Sequence, residues 1–114
     1  MDKATKLARV REIRANALRL LKERGEWEDV SGTKHLGLKI GSLSISYRTP
    51  FQPVPKPPEA MMYFAALLGR KIDHPYGLDI WHGKKVLNLV WDESESLEIV
   101  SYKPGEWEEI LVAD

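Results

Sequence analysis

Cysteine is absent from this chain of 114 residues. That absence removes three chemistries at once: a disulfide framework, a thiolate zinc site and a cysteine nucleophile. Long apolar runs are missing too. The longest, Ala60 to Leu68, is nine residues, well short of the roughly 20 needed to cross a bilayer as a helix. The N-terminus opens into Asp2, Lys3 and Lys6 with no apolar stretch of signal-peptide length, so the sequence reads as a soluble, cytoplasmic protein. Catalytic signatures are equally scarce. Gly77 to Lys85 contains two glycines and a lysine, but five residues separate Gly77 from Gly83 where a phosphate loop has four, and Lys85 stands where Ser or Thr belongs. No G-x-G-x-x-G, G-x-S-x-G or H-E-x-x-H occurs. No cofactor and no metal is implied.

Net charge is the last thing lacking: 17 Lys/Arg balance 17 Asp/Glu. The balance is a cancellation between the two ends of the chain. Residues 1–24 hold Lys3, Lys6, Arg9, Arg11, Arg14, Arg19, Lys22 and Arg24 against Asp2, Glu12 and Glu23. Residues 92–114 hold Asp92, Glu93, Glu95, Glu98, Glu106, Glu108, Glu109 and Asp114 against Lys103 alone. Such polarity can steer a charged partner or draw the two ends of the chain together.

The length and a hydrophobic fraction of 43% fit one domain spanning residues 1–114, and the pattern along it predicts an α+β fold. Residues 3–24 read as an amphipathic helix with Leu7, Val10, Ile13, Ala17, Leu18, Leu20 and Leu21 on one side, Asp2 as N-cap and Gly25 as its stop. Arg14 falls inside the apolar arc. Its expected solution is to lay its stem on the core edge and reach outward, rather than to form a buried ion pair. Residues 35–48 read as a hairpin turning at Gly41-Ser42, which sets Ile40 opposite Leu43, Leu38 opposite Ile45 and Leu36 opposite Tyr47. Lys39, Ser44, Ser46 and Arg48 then fall on a solvated face.

Five of the nine residues from Pro50 to Pro58 are proline, which predicts a stiff, extended connector. A short apolar helix over 58–68 is expected after it, ended by Gly69. Residues 78–112 read as an antiparallel meander. A Gly83-Lys84 turn sets Leu78 opposite Leu89, Ile80 opposite Leu87 and His82 opposite Lys85. The acidic loop 92–96 leads to a strand over 97–102. Pro104-Gly105 suits a type II turn, with a returning strand that sets Ile99 against Ile110 and Leu97 against Val112. A helix through Trp107, Ile110 and Leu111 is the competing expectation. The sheet would comprise about five or six strands from hairpins, with both helices packed on it. Gly25-Glu26-Trp27-Glu28 recurs as Gly105-Glu106-Trp107-Glu108, too short a match to establish a duplication.

These registers give the meander two apolar faces, the second carrying Trp81, Val86, Val90, Val100, Tyr102, Trp107 and Leu111. Such a surface must be covered by one of the helices or by another molecule. The leading functional expectation is therefore a non-enzymatic interaction, regulatory or inhibitor domain. It would bind a protein partner, or itself as a homodimer, through Trp81, Tyr102 and Trp107. A second expectation is nucleic-acid association through Arg9, Arg11, Arg19 and Lys22, weakened by Glu12 and Glu23 on the same face and by the absence of interleaved aromatics. A third is a small ligand-binding protein or enzyme centred on Asp73-His74-Pro75-Tyr76, where a His beside a carboxylate could act as a base. The same residue types build turns for reasons of backbone geometry alone.

Overall fold

Asp2 begins the first helix in the expected way. Its carboxylate accepts from the Thr5 backbone N–H at 2.7 Å, which satisfies one orphan donor and holds the Asp2 pKa below the ordinary aspartate value. The helix, α1 (Lys3–Arg24), buries Val10, Ile13, Ala17, Leu20 and Leu21. Leu7 and Leu18 lie at the margin of that stripe. Gly25 ends it for a different reason from the left-handed stop expected of a glycine. Its backbone is extended, and its N–H donates to the Leu21 carbonyl at 2.8 Å. A Cβ at Gly25 would come within 2.5 Å of that carbonyl oxygen, so close approach sets the need for glycine here.

The computed structural model describes residues 2–30, 33–48, 76–92 and 94–112. The expected Pro50–Pro58 connector, the 58–68 helix and the Asp73-His74-Pro75 stretch lie outside the described residues. After α1 the chain forms β1 (Glu26–Val30), β2 (Thr33–Ile40), β3 (Leu43–Arg48), β4 (Tyr76–His82), β5 (Lys84–Trp91), β6 (Leu97–Tyr102) and a terminal helix α2 (Trp107–Val112). The six strands form one antiparallel sheet in the order of the chain. The architecture is α+β, as the sequence pattern predicts.

Alternation places the core. Leu43, Ile45, Leu78, Ile80, Leu87 and Leu89 face one side and are fully buried there with Val10 and Leu21 of α1. The β2–β3 register is the expected one, with Ile40 opposite Leu43, Leu38 opposite Ile45 and Leu36 opposite Tyr47. Strand β1 was not anticipated, since Glu26, Glu28 and Asp29 mask it; it pairs along β2 with Trp27 opposite Leu36.

Two expectations are corrected in the C-terminal third. In the β4–β5 hairpin, Leu78 opposes Leu89 and Ile80 opposes Leu87, but a bulge then shifts the register, so His82 opposes Lys84 and not Lys85. Gly83, at φ 79°, makes the tight reversal that few other residues allow. The bulge sends Val86 into the core cluster. The second correction is larger: residues 107–112 form a helix and not the returning strand. A strand would put Glu108 on the same side as Ile110 and Val112, facing the core. The helix instead brings Trp107 and Leu111, four residues apart, onto one buried face, and its first turn carries Glu108 and Glu109, the charge sign that a helix start favours.

The core should therefore respond to truncation of its fully buried side chains and not of exposed ones on the same face. Leu43→Ala is expected to cost about 2–5 kcal/mol, whereas Trp27→Ala, at a side chain 54% exposed, should move stability by less than about 0.5 kcal/mol. Urea unfolding followed by circular dichroism measures both.

Candidate functional site

Helix α2 meets α1 through a buried carboxylate. Glu108 is 8% exposed, and three donors converge on it. Arg9 Nε donates to Oε1 at 3.0 Å, the Tyr102 hydroxyl donates to the same oxygen at 2.7 Å, and the Gly105 backbone N–H donates to Oε2 at 3.1 Å. Burial pushes the Glu108 pKa up, but these three donors outweigh it and hold the group below its ordinary value. Burial and the bond to Glu108 push the Tyr102 hydroxyl up to about 12. Trp107 is fixed beside them. Its indole N–H donates to the Lys103 carbonyl at 2.8 Å, and its ring meets Tyr102 edge to face at 6.4 Å between centroids. Tyr102 and Gly105 hold Glu108 locally and Arg9 reaches it from the other end of the chain, so this network is a latch.

A second constellation lies at the other end of the sheet. Tyr76 and Trp91 are cross-strand partners, and Tyr47 stands on the same face of neighbouring β3. Their rings are nearly parallel: Tyr47 and Trp91 at 5.9 Å and 13°, Tyr76 and Trp91 at 5.9 Å and 6°. Arg14 of α1 lies over them, its guanidinium 4.9 Å from the Trp91 ring centroid and its Nη2 2.9 Å from the Glu95 carboxylate. Arg14 is 16% exposed and Glu95 68% exposed. The arginine thus does more than reach outward: it stacks on an aromatic ring and pairs with the acidic β5–β6 loop. That loop is fixed by Asp92, whose Oδ1 accepts from the Ser94 N–H at 3.0 Å, the Ser94 hydroxyl at 2.6 Å and the Ser96 N–H at 3.1 Å. Beside the rings opens a cleft of about 440 Å³, walled by Arg11, Arg14, Ala15 and Leu18 of α1, by Tyr47, Tyr76 and Trp91, and by Asp92 and Glu95.

The opposite face of the sheet mixes ionic and polar groups with Trp81 and Val90. His35 Nδ1 lies 3.2 Å from the Ser46 hydroxyl, and burial followed by the Arg48 charge lowers the His35 pKa, against the raising effect of Asp79 and Glu28. Lys85 Nζ lies 3.5 Å from Asp79 and 5.3 Å from the Trp81 ring centroid. Among the described residues, no group of three or more His, Cys, Asp or Glu side chains could hold a metal ion. Nor is any helix among them long and apolar enough to cross a membrane.

The aromatic contact surface expected from the sequence is not brought together. Trp107 is 3% exposed. Tyr102 opposes Leu87 on the core side of the sheet and packs against the core cluster. Trp81, opposite Ser44, stands on the other face. The four basic residues expected to meet nucleic acid are also dispersed. Arg9 is bound to Glu108, Arg19 pairs with Glu23 one turn on at 3.7 Å, Arg11 lines the cleft, and Lys22 sits exposed in the last turn of α1. Of the turn centred on Asp73-His74-Pro75-Tyr76, Tyr76 is described, and it belongs to the cleft. The cleft was the feature missed, although the Leu78/Leu89 register carried two residues further already pairs Tyr76 with Trp91.

The latch sets an acid limit on stability. Because folding lowers the Glu108 pKa, its contribution is complete above the ordinary carboxylate range and is lost as pH falls through the depressed folded value. Glu108→Gln should destabilise the protein by about 1–3 kcal/mol at neutral pH, and its difference from the parent should shrink below about pH 4. Urea titrations from pH 3 to pH 7 test this; a pH-independent difference would contradict it.

No protein-family model matches this chain, and no match is found among curated proteins or solved structures.

Proposed function

We propose that this protein is a non-catalytic binding domain and that its recognition site is the cleft between α1 and the Tyr47–Trp91–Tyr76 stack. The observation that carries this reading is an aromatic platform beside a cavity of about 440 Å³, within the roughly 300–1,000 Å³ typical of small-ligand sites. Rigidity supports it as well. The rings stand on paired strands, Arg14 is held by both Trp91 and Glu95, and the loop wall is tied down by Asp92. A site assembled on fixed elements loses little entropy when a ligand enters.

Capture of a protein through Trp81, Tyr102 and Trp107 has less support, because burial removes Trp107 and the sheet separates the other two. Nucleic-acid association through α1 is weakened by pairing of Arg9 and Arg19 to carboxylates within the chain, which leaves fewer cations for phosphates.

Small aromatic probes such as benzoate and indole, titrated into the full chain, should shift the Trp91 indole resonance and the amides of Tyr47 and Tyr76 in two-dimensional NMR spectra. Ala15→Trp, at an exposed α1 position lining the cleft, should fill the cavity and abolish those shifts while leaving the circular dichroism spectrum unchanged. Shifts gathered at Trp27 or Trp81, or internal contacts showing the cavity filled by the chain itself, would overturn the reading.

A further inference from the structure

Charge accounting within the cleft narrows the chemistry of its ligand, on the assumption that the cleft is the binding site. Four charged side chains line it: Arg11, Arg14, Asp92 and Glu95. Arg14 and Glu95 neutralise each other at 2.9 Å, and the Arg14 guanidinium sits over the Trp91 ring. Its Nη1 atom is sealed from solvent, so Arg14 offers a ligand little. Asp92 spends Oδ1 on three donors of its own loop. Arg11 is exposed and forms no ion pair among the described residues. The four charges sum to zero, and Arg11 is the one among them with neither an ion pair nor a hydrogen bond to a described residue, so the donors left for a ligand sit on one planar guanidinium.

From this we infer that the cleft binds a small, flat aromatic carboxylate. Its ring would lie among Tyr47, Tyr76 and Leu18, and its carboxylate would meet Arg11 at the mouth. The aromatic rings and the aliphatic wall select a planar apolar body through offset stacking and area burial. A guanidinium fork matches a carboxylate with two parallel hydrogen bonds. A phosphate dianion fits less well, because its second charge would face Asp92 and Glu95 with no further cation to meet it. A cavity of about 440 Å³ suits a one- or two-ring compound.

The experiment compares indole-3-carboxylate with its neutral isostere indole-3-carboxamide, by calorimetry and NMR on the full chain. The carboxylate should bind about tenfold more tightly than the amide, and the advantage should shrink as salt is raised. Arg11→Gln should lower carboxylate affinity more than amide affinity and so remove the advantage, and cyclohexanecarboxylate, which lacks the flat ring, should bind more weakly than indole-3-carboxylate. Equal affinity for the carboxylate and the amide at the cleft would overturn the anion inference while leaving the cleft as a binding site. An advantage that persists in Arg11→Gln would overturn the assignment to Arg11. If neither indole compound perturbs the cleft resonances, both the inference and the binding-site reading fail.

Discussion

A six-stranded sheet is about 24 Å across at the usual strand spacing, and one helix is only about 10–12 Å wide with its side chains. This mismatch governs the structure. Helix α1 buries Val10, Ile13, Ala17, Leu20 and Leu21 against the sheet, but a single helix leaves apolar strand residues uncovered. Helix α2 adds Trp107 and Leu111 to the same core. The bulge at Val86 and the placement of Tyr102 turn further apolar surface toward that side. Most of what the sequence offers as a second greasy face is thus drawn to the face that α1 and α2 cover.

The segregation of charge serves the same end. Among the described residues, a basic helix and an acidic C-terminal third meet at two points: Arg9 on Glu108 and Arg14 on Glu95. The two pairs differ in kind. Glu108 is buried and receives three hydrogen bonds, so removing a donor leaves a desolvated carboxylate short of partners. Glu95 is exposed, and water screens its charge. What Arg14 gains comes as much from the ring beneath it as from the acid beside it. The first pair closes the fold, and the second frames the cleft.

The cleft follows from where these elements end. Tyr47, Tyr76 and Trp91 occupy core-face positions near one end of their strands, where α1 offers Ala15 and Arg11 in place of large apolar side chains. Small and charged residues cannot fill the space above three aromatic rings, and a cavity results. The opposite face of the sheet has no comparable concavity of described residues with an aromatic floor; its ionic groups, such as Asp79 and Lys85, meet one another across strands.

What the sequence by itself determined was local and periodic: the apolar stripe of α1 with its Asp2 cap, the Gly41-Ser42 turn, and the pairings of Leu38 with Ile45, Leu78 with Leu89 and Ile80 with Leu87. Each follows from neighbours a few residues apart or from a turn that fixes register, so alternation alone is enough. Only the tertiary structure decided the rest. The sequence pattern of residues 107–112 favoured a strand over a helix, and the helix won because Arg9 and Tyr102 give the Glu108 carboxylate its partners once α1 is in place. The acid-rich β1 became a strand because β2 offered it a free edge. The cleft required α1, β3, β4 and β5 to meet around one stack of rings, a coincidence of distant segments that no local pattern encodes.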